Sequence, residues 1–459
     1  MPDDNISLYA HPIRRAGFGA RRDQLEGYAA RPYEDVVDEL VNPESVRGVE
    51  EEVLDRYYDM PGKRGAISMW VYRMLNSERQ LQEKMALFWH HVLATGTAKF
   101  DFSHVSVDQI DMFRRSGLSN VRNILIEVSK NPAMIMWLDN NENHKDQPNE
   151  NYGRELLELF SMGVGNYTEG DVKAATEAFT GWTFTQPLPP PGSFSSSFDY
   201  RGDDHDDGAK VFLGETGRFN GEDVIDIIVK QPAAARFIAR HLYTFFVADE
   251  PDVASWNETP PRDPVAIDTL VASYLASGGE IRPVLSTLFN AKFFKEARFS
   301  RVKSPIELVL SVMKLAGIYA YPDPGIGNYY AQAGLMGQQL LNPLTVEGWH
   351  TGSAWIDGGT LNSRVNFAAD QVGDAANPGI REIIERLKPN RGSLEPHEFV
   401  DRCLDLVGPL SVDDDTRGSL LEHAEADGPL NFEKEIGRSK TRVVKMLQLI
   451  VATREFQFN

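Results

Sequence analysis

Apolar residues recur at intervals of three and four along most of this chain, and no other feature of the sequence constrains the fold as strongly. One such run consists of Leu81, Met85, Phe88, Trp89 and Val92. Side chains at these intervals share one face of an α-helix, so each run predicts an amphipathic helix. Further helices are predicted at 34–41, 50–59, 66–75, 106–115, 121–128, 170–179, 221–229, 231–247, 264–276, 281–289, 304–317, 379–387, 396–406, 415–424 and 435–452. We therefore predict a mainly α protein, a large multi-helix globular fold with long irregular loops and at most a small β-hairpin.

Two segments interrupt the helical pattern. Residues 182–220 combine a Pro cluster, a Ser run and short aromatic stretches, which predicts a long loop with at most one hairpin. Residues 321–365 are rich in Gly, Pro, Asn and Trp, and they predict a second irregular surface. The stretch LKPNRGSLEP is typical of a polar connector. We therefore predict a main helical domain at 1–378 and a C-terminal helical subdomain at 379–459, unless the two form one continuous domain.

Charge and composition exclude several classes of protein. The net charge of −20 and the pI near 5.0 repel nucleic acid and anionic lipid at long range, so no nucleic-acid partner is expected. No apolar run is long enough to span a bilayer, and the N-terminal sequence lacks the pattern of a secretory signal. We expect a cytoplasmic protein as numbered, or an exported one if a leader is removed. The single cysteine, Cys403, excludes an internal disulfide, and the oligomeric state stays open.

Several unrelated motifs follow one another in a fixed order. They are RRAGFG at 14–19, FWHH at 88–91, LDNNENHKDQPNENYGRELLELFSMGVGNYTEGDV at 138–172, FTGW at 179–182, HDDGAKVFLG at 205–214, KSPIELV at 303–309, MGQ at 336–338 and VEGW at 346–349. In this order the chain resembles the Domain of Unknown Function 1800 family of uncharacterised bacterial proteins. The resemblance implies a mostly helical fold and no established activity. Members commonly carry a second histidine two places after the first in FWHH, where this chain has Val92.

The segment DNNENHKDQPNE has the spacing of a calcium-binding loop. Oxygen ligands fall at positions 1, 3, 5 and 12, namely Asp139, Asn141, Asn143 and Glu150, between two apolar helical segments. The sixth position of such a loop needs a sharp turn, usually supplied by Gly, and here it is His144. The alternative is that these residues only end one helix and cap the next.

Residues 150–158 place charged groups at helical spacing. Glu150, Arg154 and Glu158 follow at intervals of four, and Glu155 lies within one turn of Glu158. Two carboxylates with a guanidinium between them can hold different pKa values and act as acid and base. The same pattern also forms an intrahelical ion-pair stripe, and the sequence leaves both interpretations open.

His90 and His91 are neighbours on an aromatic-rich helix, so at most one of them points inward. One interpretation is a core histidine with one hydrogen bond. The other is a mixed nitrogen and oxygen metal site in which His90 joins Glu155 or Glu158.

Two irregular segments supply the remaining candidates. HDDGAK places His205 and Asp206 in a loop, either as a general acid and base or as a solvated turn. Trp349 and Trp355, with Arg364 shortly after, either stack on a small polar or carbohydrate ligand or anchor the segment to the core.

Three hypotheses about function follow, because no serine elbow, zinc helix, Walker loop or dinucleotide fingerprint occurs. The first is a hydrolase or lyase acting on a polar substrate such as a glycan, with a site built from Glu150, Arg154, Glu155, Glu158, His205 and Asp206. The second is a noncatalytic binding or assembly protein with a buried polar network and calcium in the 139–150 loop. The third is a redox protein with a metal held by carboxylates and histidine.

Overall fold

The structure is a computed structural model that describes residues 4–58, 63–99, 103–185, 196–251, 253, 255–256, 258–389 and 392–459. It confirms the mainly α prediction, with helices at nearly all the predicted positions. The helices are α1 (Asp4–Arg15), α2 (Arg22–Ala29), α3 (Tyr33–Val41), α4 (Glu51–Tyr58), α5 (Lys63–Asn76), α6 (Gln80–Val92), α7 (Ser103–Ser116), α8 (Val121–Ser129), α9 (Pro132–Trp137), α10 (Asn151–Glu158), α11 (Glu169–Ala178), α12 (Gly221–Ile228), α13 (Pro232–Phe246), α14 (Pro264–Ser277), α15 (Ile281–Asn290), α16 (Lys292–Glu296), α17 (Pro305–Ala316), α18 (Gly327–Leu335), α19 (Gly358–Gly373), α20 (Pro378–Leu387), α21 (Pro396–Leu406), α22 (Asp414–Ala426) and α23 (Ile436–Ala452).

The small β component consists of two antiparallel pairs rather than one hairpin. Strands β1 (Trp182–Thr185) and β2 (Ser197–Tyr200) pair with Trp182 opposite Tyr200. Strands β3 (Lys210–Phe212) and β4 (Glu215–Gly217) form the second pair. The Pro cluster and most of the Ser run, at 186–195, lie outside the described residues.

Residues 321–365 are more helical than their composition predicted, because they contain α18 and the beginning of α19. Asp357 accepts hydrogen bonds from the backbone N–H groups of Gly359 at 2.7 Å and Thr360 at 2.8 Å, which satisfies two donors at the start of α19. Ala333 of α18 is fully buried. A side-chain cap and core packing therefore override the low helix propensity of the glycines here.

One large hydrophobic cluster runs from Ile6 near the N-terminus to Phe456 near the C-terminus. Within it α19 packs against both α17 and α23, and α13 packs against α14. At the C-terminal end, Gln457 Oε1 accepts a hydrogen bond from Arg364 Nε at 2.9 Å. The division at 378–379 stays a prediction.

Candidate functional site

The 139–150 loop lies between α9 and α10, as a helix–loop–helix arrangement requires, and it turns at its first residue. Asp139 has a φ of 56°, in the left-handed region, whereas His144 is not among the residues with positive φ. The sharp turn is therefore made at Asp139, directly after the C-cap residue of α9, Leu138, rather than at the sixth loop position. Asp139 Oδ2 lies 2.7 Å from Lys99 Nζ, and the same ammonium donates to the carbonyl of Trp137 at 2.8 Å.

Two asparagines of this loop are buried and tie it to the α11 region. Asn143 Nδ2 donates to the carbonyl of Thr176 at 2.9 Å, and its Oδ1 accepts from the backbone N–H of Asn149 at 3.0 Å. Asn140, which the calcium spacing did not include, donates to the carbonyl of Trp182 at 2.9 Å. Asn141 instead donates to the adjacent Glu142 at 2.8 Å. The side chains of the calcium-type pattern therefore contact separate protein partners, and calcium at this loop stays a prediction.

The loop also contacts the segment that precedes HDDGAK. His144 Nδ1 pairs with Asp204 Oδ2, and the backbone N–H of Lys145 donates to Asp204 Oδ1 at 3.3 Å. His205 is buried, and its Nδ1 lies 3.0 Å from the carbonyl of Thr180. The structure thus brings the first half of the 139–158 stretch, not the α10 half, next to the loop at 203–206.

Asp206 is held by its own loop. Its carboxylate accepts from the backbone N–H of Gly208 at 2.7 Å and from Lys210 Nζ at 3.2 Å. Burial alone would raise the pKa of Asp206, but these two hydrogen bonds outweigh it and the pKa is lowered. An acidic, anchored carboxylate of this kind stabilises the turn before β3.

One face of α10 is an exposed ion-pair stripe. Arg154 contacts Glu150 at 3.1 Å and Glu169 of α11 at 2.7 Å, and both glutamates are more than half exposed. Exposed pairs of this kind contribute little to stability, because water screens the charges. Glu150 and Arg154 therefore fit the ion-pair interpretation.

Two further carboxyl groups of α10, Glu155 and Glu158, lie in a different environment from the ion-pair stripe, although Glu158 follows Arg154 by one helical turn. Glu155 is half-buried, and burial, the nearby Glu158 and then Glu347 raise its pKa, against a lowering effect of Arg154. Glu158 accepts a hydrogen bond from the hydroxyl of Tyr167 at 2.7 Å. Glu155 is thus a carboxyl group with a raised pKa, beside one that accepts a hydrogen bond.

The segment that carries Glu347 is pressed against the end of α6. Gly348 has a φ of +95°, and a Cβ at this position would lie 2.2 Å from the carbonyl oxygen of His91. The backbone N–H of Trp349 donates to His91 Nδ1 at 3.2 Å. Only glycine fits at position 348, and it brings Glu347 and His91 to the same place on the surface.

A second histidine, His241, lies near His91. We use the name Glu155 cluster for three carboxyl groups that interact electrostatically, Glu155, Glu158 and Glu347, together with His91 and His241, which adjoin residue 347 through the contact of Gly348 with His91. His91 and His241 interact electrostatically, and His241 lies against Phe237 with ring centroids 4.4 Å apart. Phe237 lies beside Gly163, which follows the end of α10. The α13 segment that carries His241 therefore contacts the segment that follows α10. Glu347 is exposed and the other four are half-buried, so solvent reaches the cluster.

Both histidines of the cluster are held neutral. Burial, then Arg301, lowers the pKa of His91 to about 4, and burial, then His91 and Arg240, lowers that of His241 to about 3. Because His91 Nδ1 accepts a hydrogen bond, its proton lies on Nε2. His91 is therefore a neutral hydrogen-bond donor at neutral pH.

The remaining sequence candidates lie in the core. His90, 1% exposed, lies edge-on to Trp70 and Trp349, and neither ring nitrogen has a hydrogen-bond partner among the described residues. Trp349 and Trp355 are 6% and 5% exposed. Arg364 is fully buried and donates to Gln457 and to the carbonyl of Lys303 at 2.8 Å. The two tryptophans therefore fit the anchoring interpretation.

Beneath the surface, two of the motifs meet in a buried ionic network. Glu307 of KSPIELV accepts from Arg301 at 2.8 Å, from Lys84 and from the backbone N–H of Ser304 at 2.7 Å. Lys84 also donates to the carbonyl of Gly17, within RRAGFG, at 3.0 Å. Burial would raise the pKa of Glu307, but Arg301 and Lys84 hold it well below its usual range.

Sequence reasoning missed three of these residues. Glu347 and Glu307 lie inside the VEGW and KSPIELV motifs, so motif order was a usable signal for them. His241 lies in no motif, and only the packing of α13 near the end of α6 identifies it.

Comparison with known proteins gives one match. A family model described as Protein of unknown function (DUF1800) matches residues 11–458, nearly the whole chain. No curated protein and no solved structure matches. Across the residues that the structure describes, no helix is both long and apolar enough to cross a membrane, and no three His, Cys, Asp or Glu side chains converge as a metal ion would require.

Proposed function

Because the chain belongs to the family described as Protein of unknown function (DUF1800), a description that names no activity, we propose a function from its own geometry. The proposal is an acid–base hydrolase for polar substrates such as a glycan, with its site at the Glu155 cluster. The observation that carries it is the placement of a half-buried Glu155 near Glu158, which is held by Tyr167, and near Glu347, a placement that raises the pKa of Glu155.

The proposed chemistry assigns one role each to Glu155 and Glu158. Glu155, protonated, gives its proton to the leaving oxygen as the bond from carbon to that oxygen breaks. Glu158 takes a proton from the attacking water, whose oxygen forms the new bond to carbon, and Tyr167 holds this carboxylate in place. His91 donates from Nε2 to a substrate oxygen. One water is consumed and two hydroxyl products form.

The charge around the site limits the substrate. Three carboxyl groups at one place on a chain with a net charge of −20 repel polyanions. A neutral glycan offers hydroxyl groups to carboxylates and imidazoles without that repulsion. We therefore favour a neutral polysaccharide or oligosaccharide over nucleic acid or an acidic polymer.

The test is a hydrolysis screen of the full chain against neutral oligosaccharides and nitrophenyl glycosides. Glu155→Gln removes the acid and keeps its shape, so the rate should fall about 100-fold or more. Glu150→Gln, at the exposed residue directly before the same helix, is the matched control and should keep the wild-type rate. Absence of hydrolysis on the whole panel, or an equal rate in Glu155→Gln, would reject the proposal.

A second candidate is the noncatalytic binding or assembly protein with calcium in the 139–150 loop. It is supported by the position of Lys99, whose ammonium contacts Asp139 and the Trp137 carbonyl as a bound cation would. Calcium would have to displace Lys99. A site at 100 times its dissociation constant would stabilise the fold by about 2.7 kcal/mol.

Thermal melting in calcium and in chelator separates the two candidates. Under the second candidate, calcium raises the melting temperature of the wild type, and Asp139→Ala abolishes the increase. Lys99→Met, which removes the competing ammonium, should enlarge it. If the wild type, Asp139→Ala and Lys99→Met each have the same melting temperature in calcium as in chelator, calcium binding at this loop is rejected. Elemental analysis of freshly purified protein tests the redox-metal alternative, which requires a bound metal.

A further inference from the structure

A cavity of about 160 Å³ lies between the RRAGFG segment and the end of α17, away from the Glu155 cluster. Its floor includes the buried Ile13 and Leu75, and its rim includes the exposed Arg21 and Glu78. This volume corresponds to about five water molecules of about 30 Å³ each. A small ligand therefore fits.

Lys314 extends from α17 into this cavity. Its Nζ donates to Gln80 Oε1 at 2.7 Å and to the carbonyl of Gly19 at 3.1 Å, and both acceptors are neutral. Among the described residues no carboxylate lies within 4 Å of this ammonium. Lys314 is half-buried, and an ammonium in such a position normally has a negative partner, because partial desolvation of a charge is costly.

The charged groups that interact electrostatically with Lys314 are themselves cations, Lys84 and Arg21, so they do not neutralise its ammonium. Burial, then Lys84 and Arg21, together lower the pKa of Lys314 to about 7. Glu78 lies on the rim, while the carboxylate that Lys84 contacts, Glu307, is already shared with Arg301. The cavity therefore lacks one negative charge at its lysine.

We propose that this cavity binds a small oxyanion, a carboxylate or a phosphate, which pairs with Lys314 on the floor and faces Arg21 at the mouth. The polar lining, which includes Asn76, Ser77 and Gln80, suits a hydrophilic ligand of this size. The inference does not depend on the proposed hydrolase, because none of its residues belongs to the Glu155 cluster.

The test is isothermal titration calorimetry of the full chain with inorganic phosphate in one arm and acetate in the other, at ionic strength matched with chloride. Saturable heat in one arm identifies the class of oxyanion. Lys314→Met should lower the affinity tenfold or more, and Arg21→Gln should lower it less, because Arg21 is exposed and already paired with Asp23. Lys292→Met, at an 84% exposed lysine, is the matched control and should bind as the wild type does.

Thermal melting checks that Lys314→Met still folds. Removal of an uncompensated ammonium should leave this variant at least as stable as the wild type, and phosphate or acetate should no longer raise its melting temperature. No saturable heat in either arm, or equal affinity in the wild type and Lys314→Met, would overturn the proposal. If Lys314→Met does not fold, undiminished affinity in Arg21→Gln overturns it instead.

Discussion

Glu307 holds together the buried ionic network, so removal of its charge should be far more damaging than the same change at the surface. Its side chain is 3% exposed and contacts two cations, Arg301 and Lys84, as well as the backbone N–H of Ser304. Glu307→Gln keeps the shape of the side chain but leaves both cations without a negative partner. Loss of one partner of a buried pair costs about 3 to 5 kcal/mol.

The expected change in melting temperature follows from the size of the chain. At about 2.1 cal/mol/K per residue, 459 residues give an unfolding entropy near 1 kcal/mol/K. Glu307→Gln should therefore lower the melting temperature by about 3 to 5 °C. Glu382→Gln, which breaks an exposed pair of 3.0 Å with Arg386, should change the free energy of unfolding by only about 0.5 kcal/mol.

Differential scanning calorimetry and urea unfolding of both variants measure these differences. The double variant Glu307→Gln, Lys84→Met should recover part of the loss, because one of the two stranded cations is gone. Equal effects of Glu307→Gln and Glu382→Gln would refute the reasoning, since the buried network would then contribute no more than a surface pair.

Two further predictions concern the Glu155 cluster. Burial lowers the pKa of His91 to about 4 and that of His241 to about 3, whereas a histidine in the unfolded chain has a pKa of 6.5. Below pH 6.5 the unfolded chain therefore binds more protons than the folded protein does. Urea midpoints should therefore fall as the pH drops from 6.5 toward 4, and His241→Gln should reduce this slope; an unchanged slope would contradict the assigned pKa values. Gly348→Ala should destabilise the protein by about 2 kcal/mol or more, because alanine is strained at the positive φ of this position and its Cβ would clash with the His91 carbonyl oxygen. Gly418 on α22 lies in open space, so Gly418→Ala should instead stabilise the protein by about 1 kcal/mol in urea unfolding. An unchanged free energy of unfolding in Gly348→Ala would contradict the close contact between Gly348 and the His91 carbonyl.

The helical fold was predictable because helix periodicity is a local property of the sequence. The segment predicted at 231–247 is α13, Pro232–Phe246, and the segment predicted at 435–452 is α23, Ile436–Ala452. α18 and α19 were not predicted, because glycine-rich sequence carries a weak helical signal and their stability comes from packing and from the Asp357 cap.

The candidate site was predictable only in part. The spacing in α10 identified Glu155 and Glu158, but the companions of Glu155 come from distant parts of the chain. Glu347 lies 192 residues further on in sequence, and no local pattern reports that the two carboxyl groups share a surface. The burial of Trp349 is equally a tertiary property, since it depends on the contact between Gly348 and His91.

The central claim is that Glu158 and Glu347, together with burial, raise the pKa of Glu155, and a carboxyl titration tests it most directly. Nuclear magnetic resonance of protein labelled with ¹³C at the glutamate carboxyl groups gives the pKa of each group, and Glu155→Gln assigns the signal. The account predicts a pKa for Glu155 above the ordinary value of 4.5, and a lower pKa in Glu158→Gln, which removes a neighbouring negative charge. A pKa of 4.5 or below in the wild type would contradict it.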